Sequence, residues 1–172
     1  ADRYVVALGV AATGLLKPLG IRLPIQPVRG FSVTLPITRT DRAPLASIID
    51  EHTKVAITRL DDRLRAAGAA EIGSRSTEAP ADRIRAILGS VRDLFPDAAD
   101  FGTVERWAGL RPMTPDGPPL LGPTRIANVL LNVGHGGQGW SMACGSGRVI
   151  ADLVAGRQPE IDLDGLTLSR YG

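Results

Sequence analysis

The chain has 172 residues and a formal net charge of +2, with 44% hydrophobic and 22% charged residues, the proportions of an ordinary globular domain. Its arginines are scattered rather than grouped with aromatic residues, which argues against nucleic-acid binding. A single cysteine excludes an intrachain disulfide and favours a reducing compartment. No apolar run approaches the roughly 18 residues of a membrane span, and no signal peptide is recognisable.

The first segment predicts a strand at the beginning of the chain. Residues 1–10 read ADRYVVALGV, an apolar run typical of a buried strand, and a short helical turn is expected over 15–19. A buried strand so near the first residue, with alanine at position 1, indicates a portion of a longer protein. The proline- and glycine-containing segment 20–30 is predicted to be irregular.

Four segments then predict an antiparallel meander. Residues 31–37 alternate apolar and polar side chains, the pattern of a half-buried strand. Further strands are expected over 45–50, 54–60 and 63–72, and the polar pair at 61–62 suits a tight turn. Short strands joined by turns are typical of an antiparallel sheet.

The clearest helix is predicted over 80–95. Pro80 is tolerated in its first turn and Pro96 ends it. A strand over 103–110 follows, so the middle of the chain reads as an antiparallel sheet covered by one helix, an α+β arrangement. The apolar residues of the helix fall on one stripe at helical spacing: Ile84, Ile87, Leu88, Val91, Leu94 and Phe95.

The last part of the chain predicts a strand, a glycine-dense turn and a helix. The proline-rich residues 112–123 are expected to form a stiff loop without regular structure. A buried strand is predicted over 129–133, and a helix over 140–155 ends at Gly156. Together with residues 1–20, this region reads as parts of an α/β layer into which the antiparallel sheet is inserted.

Residues 134–139 spell G-x-G-x-x-G between a strand and a helix, the local context of a dinucleotide-binding loop. The rest of that motif does not follow, since residues 140–172 leave no room for further strands, and Asp162 lies in a polar tail. Three interpretations stay open: a Rossmann-type NAD loop, a turn that only lets strand and helix pack closely, or a helix N-terminus that contacts another cofactor.

Two stretches carry a resemblance to a known family. GLRPMTPDGPPLLG (109–122) and NVLLNVGHGGQGWSMACGSGRVIADLVAG (128–156) closely resemble the C-terminal part of bacterial D-amino acid dehydrogenases, within the FAD-dependent D-amino acid oxidase and glycine/sarcosine oxidase family. Weaker similarity in ADRYVVALG, PIQPVRGFSVTLPI and RLDDRLRAAGAAEIG extends the resemblance over the whole chain. The glycine motif that opens the family's cofactor domain is not found at the start of this sequence.

The resemblance implies an organisation into three pieces. Residues 1–20 and 112–172 would be parts of an incomplete FAD-binding α/β layer. Residues 21–111 would be a substrate-binding antiparallel α+β domain with one packed helix. The expected fold class is therefore α+β, and independent FAD binding by these residues is in doubt.

The resemblance also implies roles for individual residues. Arg111, in the G-L-R-P motif, would bind the substrate carboxylate, for which a planar guanidinium is well suited. An alternative is a structural arginine that bonds loop carbonyls. Gly9 would approach the cofactor from the other side. The flavin ring edge would meet the backbone of Gly136, Gly137, Gln138, Gly139, Trp140 and Ser141.

His135 is interpreted as a residue that organises the loop through hydrogen bonds rather than as a catalytic base, because hydride transfer to flavin needs no dedicated base in this family. His52, His135 and Cys144 lack metal-ligand spacing, so no metal site is expected. Cys144 is expected to be a small buried residue. Trp107 and Trp140 could line the pocket, but core packing is the favoured role for each.

The expected activity is oxidation of D-amino acids or related amines by hydride transfer to FAD. The resemblance further implies an electron acceptor such as a quinone or respiratory carrier, a cytoplasmic location at the inner face of the bacterial inner membrane, peripheral membrane association and a homodimer. The alternatives are a non-enzymatic α+β module of a larger protein and a NAD-binding Rossmann enzyme.

Overall fold

The computed structural model describes residues 1–172, which form eight strands in two sheets and three α-helices. The strands are β1 (Tyr4–Val6), β2 (Gln26–Pro36), β3 (Ile48–Asp50), β4 (Val55–Leu60), β5 (Arg63–Ile72), β6 (Glu105–Met113), β7 (Leu120–Pro123) and β8 (Val129–Val133). The helices are α1 (Ala12–Leu16), α2 (Ala81–Leu94) and α3 (Gly139–Val154), and short 3-10 turns cover Gly9–Ala11, Lys17–Leu19, Thr40–Arg42 and Leu168–Tyr171. This mixture confirms the α+β class.

The chain divides into two compact units. One, here called the composite unit, contains residues 1–28 and 111–172; the other, the inserted unit, contains residues 29–110. The functional domains assigned from the sequence, with boundaries after residues 20 and 111, stay a prediction.

The composite unit contains a three-stranded sheet in the order β1-β8-β7. Strand β1 is parallel to β8, with Val6 opposite Leu131, and β7 is antiparallel to β8. Residues of α1 and of the segment after it pack on this sheet, and Leu16 is among the most buried side chains. The prediction of a buried first strand holds only for Val6, because β1 is an edge strand and Tyr4 is 51% exposed.

Helix α3 follows β8 in the composite unit and buries Ser146, Val149, Ile150 and Asp152. It ends one residue before the predicted end, and Gly156 then adopts a φ of +71°, the left-handed conformation that commonly terminates helices. The helix begins at Gly139, directly after the turn that follows β8, and Gly156 accounts for its end.

The inserted unit is built around the five-stranded sheet β3-β4-β5-β2-β6. Strands β3, β4 and β5 form an antiparallel meander in which Ile57 lies opposite Ile48 on one side and Ala66 on the other. The apolar stripe of α2 packs on one face of this sheet, and the resulting core includes Phe31, Leu35 and Leu64. The predicted meander and helix are confirmed.

Several predicted boundaries are wrong. Strand β2 begins at Gln26 instead of residue 31, so part of the supposedly irregular segment is extended. The loop expected over 112–123 contains the end of β6 and all of β7. Both β6 and β7 are edge strands, where a proline such as Pro112 or Pro123 need not donate an N–H to a neighbour.

Two predictions of burial in the inserted unit are also wrong. Trp107 is 51% exposed, since its side chain lies over Gly109 on the surface of β6 and beside Arg65. Leu94, in the last turn of α2, is half exposed. No helix of the structure combines the length and apolarity needed to cross a bilayer.

Candidate functional site

The glycine turn between β8 and α3 packs tightly against the end of β6. Gly134 and Gly136 have φ values of +80° and +57°, a region that favours glycine. A Cβ on either would lie 2.8 Å from a side-chain atom, Cγ2 of Thr114 in one case and Sδ of Met113 in the other. These two glycines are therefore explained by close packing of the turn.

The same contact brings Arg111 to the turn. The Gly136 N–H donates to the Pro112 carbonyl at 3.0 Å, and Met113 and His135 form an antiparallel bridge. A Cβ placed on Gly137 would lie 3.6 Å from Cδ of Arg111. Arg111 is partly buried and takes part in none of the ion pairs or side-chain hydrogen bonds of the protein, so its guanidinium is free to hold a carboxylate through two parallel hydrogen bonds.

Four backbone N–H groups in the turn and the first turn of α3 have no acceptor within the protein. In the turn, the Gln138 N–H donates to the His135 carbonyl at 3.1 Å, and Met142 donates to Gln138 at 3.1 Å. The N–H groups of Gly137, Gly139, Trp140 and Ser141 make no such bond. They lie at or beside the N-terminus of a 16-residue helix, where unpaired donors and the helix dipole favour a negatively charged or acceptor group.

His135 is held by the buried face of α3. Its Nε2 lies 2.9 Å from Oγ of Ser146, which is buried. Burial lowers the pKa of His135 from its ordinary value of 6.5, which favours the neutral imidazole. The hydrogen bond ties the turn to the helix, and its geometry suits a positioning role.

A cleft of about 340 Å³ opens beside the turn. Gly9 lines this cleft; its φ is +53°, and a Cβ on it would lie 3.8 Å from Cγ of Pro112. Asn132 also lines the cleft, and its side-chain oxygen is buried without a hydrogen-bond partner. An unsatisfied buried acceptor costs roughly 1–3 kcal/mol, so a donor on a bound ligand would relieve it. The other residues that line the cleft are Ala7, Pro112, Val133, Gly134, His135, Gly136, Gly139, Ala143 and Ser146.

The structure thus brings together many of the site residues expected from the sequence. Gly9, His135, Gly136 and Gly139 line the cleft, and Arg111 reaches the turn at Gly137. Gln138, Trp140 and Ser141 have exposed side chains, and of their backbone N–H groups those of Trp140 and Ser141 have no acceptor. The assignment of flavin and substrate contacts to these residues stays a prediction.

Sequence reasoning missed Asn132 and Ser146. Asn132 is the one polar residue in the otherwise apolar strand β8, and this exception in a buried run was a usable signal. Ser146 lies eleven residues after His135, and no periodicity links a turn residue to a helix residue at that distance.

Two expectations for this region are wrong. Cys144 is exposed on α3 rather than buried. Trp140 is 95% exposed at the beginning of α3 and packs in no core. No group of three or more His, Cys, Asp and Glu side chains is arranged to hold a metal ion.

Comparison with known proteins gives a consistent result. Residues 1–153 match the model of the FAD dependent oxidoreductase family. The chain is 54% identical over 171 residues to a D-amino acid dehydrogenase of Methylobacterium radiotolerans, and 52% identical to one of Xanthobacter autotrophicus. Both alignments cover 99% of this chain but only 41% of the relative.

Solved structures show the same architecture. The crystal structure of glycine oxidase from Geobacillus kaustophilus is similar to this chain with a TM-score of 0.84 and 26% identity, covering 99% of this chain and 46% of that one. L-proline dehydrogenase from P. horikoshii gives a TM-score of 0.82 at 20% identity, covering 98% and 46%, a likeness of fold alone.

Proposed function

Because the chain belongs to the FAD dependent oxidoreductase family, we propose that it supplies the substrate carboxylate site and the flavin-edge contacts of an enzyme that oxidises D-amino acids or related amines. The observation that carries the proposal is the approach of the unpaired Arg111 to Gly137, beside four N–H groups without acceptors. The D-amino acid substrate rests on the names of the relatives, of which this chain spans 41% of the length.

The residues of the cleft and of the adjoining turn and helix start would suit the edge of a flavin ring. Free N–H groups at Gly137 and in the first turn of α3 suit the carbonyl oxygens and ring nitrogens of such an edge, and the missing side chain at Gly137 leaves the space beside Arg111 open. When bound, FAD supplies an acceptor for a hydride, which carries the two electrons of the oxidation. The N–H groups would favour negative charge at the ring edge, because they are fixed by the helix and need no reorganisation.

Arg111 would orient the substrate by pairing with its carboxylate. His135 is proposed to act as a positioning residue that keeps the turn on α3 through Ser146, and not as a base. The substrate loses a hydride from its α-carbon and a proton from its amino group, which leaves an imino acid. Hydrolysis of the imino acid then gives a keto acid and ammonia.

We further propose that electrons leave to a quinone or another respiratory carrier rather than to dioxygen, since the relatives are named dehydrogenases. Peripheral association with the inner face of the inner membrane, a cytoplasmic location and a homodimer belong to the same proposal. In an enzyme of the relatives' length that contains this sequence, the rates at which a soluble quinone and dioxygen reoxidise the reduced flavin test the choice of acceptor. Faster reoxidation by dioxygen would contradict it.

For the 172-residue chain alone we expect weak or no binding of FAD. The cleft offers hydrogen-bond donors for the edge of the flavin ring, but two glycines of the G-x-G-x-x-G turn are required for packing and do not form a pyrophosphate-binding loop. A titration with FAD that follows the fluorescence of the exposed Trp140, with Trp107→Phe to remove the other tryptophan, tests this. Tight binding would contradict it.

The substrate assignment is tested by Arg111→Ala in an enzyme of the relatives' length that contains this sequence. Hydrogen bonds to charged groups contribute roughly 1.5–3 kcal/mol, so kcat/KM for amino acids should fall on the order of ten- to a hundred-fold, mainly through KM. Arg106→Ala is the matched control, because Arg106 is an exposed arginine on the same strand, β6. Unchanged kinetics in Arg111→Ala would rule out the carboxylate role.

A further inference from the structure

We propose that a second cleft of the composite unit binds a small organic anion, whose carboxylate or phosphate group is held by Arg22 and Arg125. This arginine cleft has a volume of about 770 Å³, within the roughly 300–1,000 Å³ of small-molecule sites. It lies between the turn after α1, the β7–β8 connection and the 3-10 turn Leu168–Tyr171, and it shares no residue with the cleft at His135.

The two arginines of the arginine cleft have no acidic side chain beside them. Neither Arg22 nor Arg125 takes part in an ion pair, and no aspartate or glutamate lines the cleft. The carboxylate of Asp116 is bonded to Arg170 and Tyr171 instead. Two unneutralised guanidinium groups at one cavity favour an anionic ligand.

Arg125 is positioned before any ligand binds. One of its terminal nitrogens donates to the Leu19 carbonyl at 2.7 Å. The side chain passes over Gly20, which has φ +73° and where a Cβ would lie 2.0 Å from that nitrogen. A side chain at position 20 would displace the end of Arg125. The remaining N–H groups of Arg125, and all those of Arg22, make no hydrogen bond within the protein.

The residues that line the arginine cleft indicate which class of anion it would bind. Ile21 is buried, and Pro123 and Leu168 add apolar surface. The nearby hydroxyl groups of Thr167 and Ser169 are bonded to each other at 2.6 Å. That bond uses one of the two hydroxyl hydrogens, so charge and apolar contact are the main means of recognition in the cleft. The cleft therefore suits an anion with a short apolar body rather than a sugar or another polyol.

Nuclear magnetic resonance tests the proposal on the whole chain. We would titrate hexanoate, inorganic phosphate and, as a neutral analogue, hexanol, at matched ionic strength, and follow the amide resonances of Gly20, Arg125 and Ser169. Hexanoate, phosphate or both should shift these resonances in a saturable manner, and hexanol should not. A response to hexanoate alone identifies a carboxylate site, and a response to phosphate alone a phosphate site.

Arg22→Ala should weaken this binding at least tenfold without affecting the fold, because Arg22 is exposed and bonds no other residue. Arg75→Ala is the matched control at an exposed arginine of the inserted unit and should bind as the parent does. Arg111→Ala should leave the cleft resonances responsive, which separates this site from the proposed substrate site. No saturable shift at millimolar anion, an equal response to hexanol, or unchanged affinity in Arg22→Ala would overturn the proposal.

Discussion

Gly136 and Gly137 are adjacent in the sequence, yet an added methyl group would meet different surroundings at each. At Gly136 the backbone has φ +57° and the methyl would lie 2.8 Å from the Met113 sulfur. At Gly137 φ lies outside the left-handed region, and the atoms nearest to the added methyl group belong to Arg111, at 3.6 and 3.8 Å. The first glycine is required by packing, and the second leaves space where the proposed ligand would bind.

We expect Gly136→Ala to destabilise the protein by roughly 1–3 kcal/mol, because alanine is strained in this conformation. Gly137→Ala should change the free energy of unfolding by less than about 1 kcal/mol, since the methyl fits. Urea denaturation of both variants measures the difference. In an enzyme of the relatives' length, Gly137→Ala should instead raise KM. Equal destabilisation by the two variants would contradict this division of roles.

Asp152 is an acidic residue in the last turn of α3, where a negative charge opposes the helix dipole. Its carboxylate accepts hydrogen bonds from Arg157 at 2.9 and 2.7 Å and from Arg148 at 2.9 Å. These bonds, those of Arg157 first, lower the pKa of Asp152 below its ordinary value of 3.8. The pairing therefore converts an unfavourable position into a stabilising one as long as the carboxyl is ionised.

The pH dependence follows from the sign of that shift. A carboxyl with a lowered pKa in the folded state contributes stability above its ordinary pKa and loses it as the pH falls through the folded value. Asp152→Asn should thus lower the melting temperature at pH 7, and the gap to the parent should narrow as the pH falls below about 4. A gap that widens in acid would show that the ion pairs do not stabilise the fold.

At the level of elements, the bounds of strands and helices were predicted most accurately where one periodic pattern extends over the whole segment. Strands β5 and β8 have the predicted bounds, and α2 differs by one residue at each end. The errors concentrate at prolines: Pro112 and Pro123 lie on the edge strands β6 and β7, and Pro27 is the second residue of β2. Whether a proline interrupts a strand depends on which neighbour the strand has, and this is decided by tertiary pairing that no local pattern contains.

The sheet and helix of the inserted unit allow a direct test of their shared core. Leu64 on β5 is 0% exposed and packs in that core, so Leu64→Ala should cost about 2–5 kcal/mol of unfolding free energy. Leu45→Ala is the matched control, because Leu45 is 93% exposed and its loss should cost less than about 0.5 kcal/mol. Chemical denaturation compares them. Similar costs would mean that the core is not where the structure places it.

At the level of the whole chain, the candidate site joins residues far apart in the sequence. Gly9, Arg111 and the turn at Gly136 come from three different segments, and only the family resemblance predicted that they belong together. Asn132 and Ser146 were missed because their roles arise from contacts across elements. Hydrophobic periodicity predicts the secondary structure of each segment. It does not predict which polar groups of different segments come into contact.

The division into a composite and an inserted unit, each with its own apolar core, predicts that destabilisation stays local. Leu64→Ala removes contacts from the inserted unit, and Leu131→Ala, at a residue 1% exposed on β8, removes them from the composite unit. Local opening requires less free energy when the core of one cooperative unit is weakened. Hydrogen–deuterium exchange should therefore accelerate in Val55–Leu60 and Arg63–Ile72 for the first variant, and in Leu120–Pro123 and Val129–Val133 for the second. Acceleration of all four strands by either variant would show that the two units unfold as one.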